Sequence, residues 1–94
     1  MTKAEIATEI SRSTGLDKAA VIMVIENLMT VIKDSLANGE NVYLRGFGTF
    51  ALKQRAEKLA RNITKGTAVV VPAHQIPFFK PAPVFKEQVA ENNK

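Results

Sequence analysis

The sequence predicts a small α+β domain in which two helices lead into an antiparallel sheet, a long β-hairpin and a short closing helix. Three observations carry this reading. Apolar residues recur at three- and four-residue spacing as far as Leu36 and stop at Asn38-Gly39. From Val42 the texture turns β-prone, and Thr49 to Arg55 alternates between apolar and polar. Large apolar residues then nearly vanish from Gln54 to Ala60 and return as Val69-Val70-Val71, the pattern of a hairpin whose outer part has little to pack against.

Each element has its own signal. Thr2-Lys3-Ala4-Glu5 is a capping-box pattern, and Ile6 and Ile10 then share one face until Ser13-Thr14-Gly15 ends the first helix. Asp17 suits the N-cap of a second helix of about 20 residues, roughly 30 Å long. Its main stripe is Val21, Val24, Ile25, Leu28, Val31, Ile32 and Leu36, while Ile22, Met23 and Met29 lie beyond it. That helix is expected to be covered on more than one side. Val42-Tyr43-Leu44 reads as a strand and Gly46-Phe47-Gly48 as a tight corner. In the strand that follows, Phe50 and Leu52 point one way and Lys53 and Arg55 the other. Asn62 to Gly66 reads as a turn with the bulky Ile63 at its tip. Pro72 ends or bends the returning strand because it cannot donate to a ladder. Ile76 to Lys80 makes one more strand, and Pro81-Ala82-Pro83 opens a last helix carrying Phe85 and Val89.

Composition narrows the function classes. The 94 residues suit one domain, expected over residues 1–94, with a helical hairpin over 1–39 and sheet and arm over 40–81. The arm is expected over about 53–73, and the C-terminal helix and tail over 82–94. With no cysteine, neither a disulfide framework nor a thiolate metal site can form. His74 is the single histidine, so no metal site and no cofactor is expected. Ser11, Ser13 and Ser35 have no base at a suggestive spacing, and no catalytic residue is assigned. Gly46-x-Gly48 is too short for a dinucleotide fingerprint, and Asn62-Ile63-Thr64 matches a glycosylation sequon by chance. Met1 to Glu5 turns polar at once, and the longest apolar run, Ala19 to Ile25, is far short of a membrane span. A cytoplasmic location is therefore expected, with neither a membrane nor a small-molecule substrate as partner.

The chain carries a formal charge of +4 and a pI near 9.6, which favours an anionic partner without naming it. Between Arg45 and Lys65 six basic residues (Arg45, Lys53, Arg55, Lys58, Arg61 and Lys65) face the single acid Glu57. Size adds a second constraint. If an arm of about 20 residues contributes little core, the remaining 70 or so fall near the margin at which small domains need help. Without disulfide or metal, and with five phenylalanines in so small a body, an obligate homodimer is expected, carrying two arms by symmetry.

Gly46-Phe47-Gly48-Thr49-Phe50, Arg61-Asn62 at a hairpin tip, and Ile76-Pro77-Phe78-Phe79-Lys80-Pro81 before a short helix together resemble the bacterial histone-like HU and integration host factor family. The resemblance covers nearly the whole chain in order and spacing. It implies an intertwined homodimer with a helical-hairpin base, a three-stranded antiparallel sheet, one β-ribbon arm per subunit and a short C-terminal helix. It also leaves room for a heterodimer with a paralogue. The implied function is non-enzymatic and nucleoid-associated: double-stranded DNA is bound through phosphates and the minor groove, bent, and condensed with little sequence preference. A site-specific bender of integration host factor type and a dimeric protein-interaction module are the alternatives.

Residue roles follow from the same resemblance. Lys53, Arg55, Lys58, Arg61, Asn62, Thr64 and Lys65 correspond to the DNA-binding arm. Lys3, Lys18, Arg45, Lys80 and Lys86 correspond to contacts along the body, and Gly46 and Gly48 let backbone approach the duplex. Leu36, Leu44, Phe47, Phe50 and Phe79 form the expected dimer core. Of the body residues, Arg45 is best placed to create a sequence preference. Three departures stand out. Ile63 occupies the position of an intercalating proline, Ala82-Pro83 replaces a Gly-Lys pair, and His74-Gln75 stands where a lysine is common. Apolar wedges, isoleucine included, unstack base steps in minor-groove architectural proteins, which gives Ile63 a role. The plainer reading has Ile63 packing on Leu59 or Val69 within its own arm.

Overall fold

The computed structural model describes residues 1–62 and 67–93, with side chains given for all of these except 60–62 and 67–69. The elements are α1 (Lys3–Thr14), α2 (Lys18–Ala37), β1 (Val42–Leu44), β2 (Gly48–Arg55), β3 (Lys58–Asn62), β4 (Thr67–Val71), β5 (His74–Pro81) and α3 (Pro83–Asn92).

The helices begin and end where their caps dictate. Thr2 Oγ1 accepts from the Glu5 N–H at 3.3 Å, and its hydroxyl donates to the Glu5 carboxylate at 3.2 Å. Gly15, at φ 77°, closes α1 by donating its N–H to the Ser11 carbonyl. Asp17 caps α2 through the Ala20 N–H. At the far end Gly39 takes φ 86°, its N–H reaches the Leu36 carbonyl, and the Glu40 N–H reaches that of Ser35. This pair of bonds is a Schellman motif, which satisfies carbonyls that a helix end leaves without partners. α1 folds back on α2 as a hairpin, and an ion pair between Lys3 Nζ and Glu26 Oε1, 2.7 Å, ties its open end.

The strands form a three-stranded antiparallel sheet in the order β1-β2-β5 and a two-stranded ribbon, β3-β4. One register governs both. β2 and β5 pair from Gly48↔Pro81 to Arg55↔His74, and after two unpaired residues on each side β3 and β4 resume with Lys58↔Val71 and run to Asn62↔Thr67. No residue is gained or lost across the gap, so sheet and ribbon are one hairpin with an interrupted ladder. Pro72, which has no N–H to give, sits in the interruption. β5 is longer than the Ile76 to Lys80 strand expected from sequence, because His74 and Gln75 pair with Arg55 and Gln54. Its prolines 77 and 81 are tolerated because β5 is an edge strand.

Packing within one chain is incomplete. Ala7, Val21 and Leu36 are the only buried hydrophobic residues among those described. Leu28 is 48% exposed, and Val24, Met29, Val31 and Phe47 are also open. The chain exposes 7761 Å² against about 5,400 Å² for a finished globule of its mass. Its radius of gyration is 18.7 Å, where a compact chain of this length has about 12 Å. The ribbon accounts for part of the excess, and the bare face of α2 and the phenylalanine cluster for the rest.

That cluster joins Phe47, Phe50, Phe79 and Phe85. Ring centroids lie 5.1 Å apart for Phe47 and Phe79, 4.9 Å for Phe50 and Phe79, and 5.3 Å for the stacked pair Phe47 and Phe85. Gly48 sits beneath it, buried, where a Cβ would come within 2.6 Å of both the Lys80 carbonyl oxygen and the Phe79 ring. Gly48→Ala should therefore lower stability by about 1–3 kcal/mol, the usual cost of overpacking, seen as a lower urea midpoint.

Candidate nucleic-acid interface

Alternation along the strands divides the sheet into two faces. Val42, Phe50, Leu52 and Phe79 turn toward the helices and the ring cluster. The outer face carries Tyr43 on β1, Thr49, Ala51, Lys53 and Arg55 on β2, and His74, Ile76, Phe78 and Lys80 on β5, as the register requires. Three of these nine residues are Lys or Arg and none is Asp or Glu. A face with one sign of charge, whose cations make no ion pair among the described residues, keeps them available to an anion. Lys53 Nζ lies 5.2 Å from the Phe78 ring centroid, a cation–π contact that steadies both side chains. His74 is turned back by a 2.8 Å bond from Nδ1 to the Pro72 carbonyl, in which the ring nitrogen donates.

The sequence-expected residues fall into separate groups. Lys53, Arg55 and Lys80 meet on the outer face. Arg45 is exposed at the corner joining β1 to β2, where Gly46 adopts φ 80° and the Phe47 N–H donates to the Leu44 carbonyl at 3.0 Å. The corner also braces the last helix, since the Phe47 carbonyl accepts from the Ala82 N–H at 2.9 Å. Gly48 is buried, and its lack of a side chain leaves room for the Phe79 ring and the Lys80 carbonyl. Lys86 is exposed on α3. Lys3 and Lys18 stand at opposite ends of the α1–α2 hairpin, and Lys3 is engaged by Glu26.

On the arm, Lys58 and Leu59 open β3 and are exposed, with Leu59 opposite Val70 and neither covered by the rest of the chain. The backbones of Arg61 and Asn62 continue β3, while their side chains lie outside the described residues. Ile63, Thr64 and Lys65, the expected tip, lie outside them altogether. Of the expected dimer core, Leu36 is buried, Leu44, Phe50 and Phe79 are half-buried, and Phe47 stays open.

Sequence reasoning missed the outer-face company of the cations: Tyr43, Thr49, Ile76 and Phe78. It counted Phe78 among the five phenylalanines that argue for a dimer without giving it a side, although Phe78 and Phe79 are strand neighbours and must face opposite ways. That alternation was the available signal. Among the described residues no group of three His, Cys, Asp or Glu could hold a metal ion, and no helix is long and apolar enough to cross a membrane.

Comparison with known proteins agrees with this geometry. A family model described as bacterial DNA-binding protein matches residues 1–90. Integration host factor subunit beta of Marinobacter nauticus is 38% identical over 95 residues, covering all of this chain and 97% of that protein. DNA-binding protein HU of Thermus thermophilus is 36% identical over 91 residues, or 95% of this chain and 92% of that one. Among solved structures, an Anabaena HU–DNA cocrystal superposes with a TM-score of 0.91 at 27% identity, over 96% of this chain and 98% of that one. HU from Thermotoga maritima gives 0.67 at 26% identity, over 95% and 98%.

Proposed function

This chain belongs to the bacterial DNA-binding protein family, and on that premise we propose that it is a homodimeric architectural protein that binds and bends duplex DNA. The observation that carries the reading is the outer sheet face, with Lys53, Arg55 and Lys80 and no carboxylate, continued in register into a ribbon that has no core of its own. It acts without catalysis. Binding draws on counterion release as lysines and arginines neutralise phosphates, a term that is independent of sequence. The minor groove offers only a degenerate pattern to read, so preference among sequences is weak and reflects how readily the duplex deforms.

In this scheme the body receives the duplex on Lys3, Lys18, Arg45, Lys80 and Lys86. The two arms follow the minor groove with Lys53, Arg55, Lys58, Arg61, Asn62, Thr64 and Lys65. Ile63 wedges into a base step at each tip, at a cost of a few kcal/mol per step that is repaid by contacts along the bent duplex. The start of α3 adds little. Ala82 offers no side-chain cap and Pro83 occupies the first turn, where it has neither a cation nor an N–H to present. The protein condenses and organises the chromosome as a cytoplasmic, nucleoid-associated component, alone or paired with a related chain.

The test is a salt-dependent titration of three duplexes of equal length, two intact and unrelated in sequence and one nicked, each scored for bend by end-to-end energy transfer. Equal affinity for the intact pair, tighter binding to the nicked duplex and a clear bend are expected. One strongly preferred intact sequence would point instead to a site-specific bender reading through Arg45, and absence of duplex binding to a protein-interaction module.

Two variants refine the roles. Arg55→Ala should weaken binding to every duplex and flatten the slope of log affinity against log salt by about 0.9 for each phosphate that is no longer neutralised. Ile63→Ala should leave affinity for nicked DNA nearly intact and reduce the bend of intact duplex; an unchanged bend would remove the wedge.

A further inference from the structure

His74, the only histidine of the chain, stands where the hairpin passes from sheet to ribbon. It pairs with Arg55 on the last rung of β2 and β5 and is exposed. An open cleft of about 590 Å³ lies at the interruption that follows, and Arg55, Glu57, Lys58, Val71 and Ile76 line it together with His74. Two cations and one carboxylate therefore face the imidazole, from β2, from the link after it and from β3, while β4 contributes the uncharged Val71. The ring is oriented before any ligand arrives. A carbonyl oxygen only accepts, so the 2.8 Å bond to Pro72 fixes a proton on Nδ1. Nε2 makes no hydrogen bond among the described residues. In the neutral ring that atom presents a lone pair, which repels a phosphate oxygen. In the imidazolium it is a charged N–H donor, the stronger kind of partner for phosphate.

We propose that His74 is a proton-gated phosphate contact at the root of each arm, engaging the duplex backbone beside Arg55 and Lys58 only when Nε2 is protonated. The inference rests on the duplex reading above and adds to it a further binding residue and a dependence on pH. Histidine is the side chain whose charge ordinarily changes between pH 5 and 8. Binding and protonation are then linked. The protonated protein binds more tightly, so the complex takes up protons from solution and affinity falls as pH rises. A dimer carries two such contacts, one at each arm.

The test measures affinity of the full chain for an intact duplex at about pH 5.5 and about pH 8, at constant ionic strength, for the unaltered protein, His74→Gln and His74→Lys. The unaltered protein should bind about tenfold more tightly at the lower pH. Its slope of log affinity against log salt should also be steeper there by about 1.8, from about 0.9 for each of the two contacts. His74→Gln should lose the difference between the two pH values to within about twofold, and His74→Lys should bind tightly at both. A second readout needs no substitution. With one histidine per chain, the imidazole ring protons report on His74 alone by NMR, and adding duplex at about pH 7 should move their signal toward the protonated position. An equal dependence on pH in His74→Gln, or an imidazole signal that does not move when duplex binds, would overturn the contact and leave the duplex reading intact. Absence of duplex binding at both pH values would overturn the two together.

Discussion

The apolar surface that one chain leaves uncovered governs the rest of the structure. α1 and α2 bury Ala7 and Val21 against each other, Leu36 is tucked under the sheet, and among the described residues Leu28, Val31 and Phe47 stay open. Apolar area of this extent carries a large unfavourable hydration free energy, and a sequence without cysteine has no disulfide to offset it. A second copy resolves this through a two-fold contact that places the same patch against itself. The excess of exposed area over a finished globule is roughly 2,400 Å², and the share that the ribbon does not account for is what a second copy covers. Two ribbons follow from that symmetry, and with them the means to hold a long polyanion from both sides.

The period-two alternation of a strand then separates the tasks. Even-numbered residues of β2 supply Phe50 and Leu52 to the core, and odd-numbered ones supply Lys53 and Arg55 to the outside. A slip of one residue would bury the cations and expose the rings, so register and function are set together. The same register persists from Gly48↔Pro81 to Asn62↔Thr67 although the ladder breaks at Pro72. The ribbon is thus the outer end of the hairpin that organises the core.

Much of this was legible in the sequence. The caps Thr2, Asp17, Gly15 and Gly39 mark both helices because each satisfies backbone groups that a helix end must leave open. The alternation from Thr49 to Arg55 identified the basic face, and the resemblance in the Gly-Phe-Gly corner and the Phe-Phe-Lys-Pro segment identified the family. The extent of β5 was not legible, since two prolines conceal a strand that only its edge position permits. The side taken by Phe78 was also missed. Adjacent rings read as one apolar signal in composition, and the strand's geometry is what parts them. Gly48 carries a second constraint that composition does not reveal, the Phe79 ring and the Lys80 carbonyl packed where its Cβ would stand.

Sedimentation equilibrium combined with urea unfolding, over a wide range of protein concentration, tests the dependence on a second copy most directly. The account requires a species of twice the 10.3 kDa chain mass and an unfolding midpoint that rises with concentration, because folding and association are one equilibrium. A folded monomer with a cooperative, concentration-independent midpoint would contradict it.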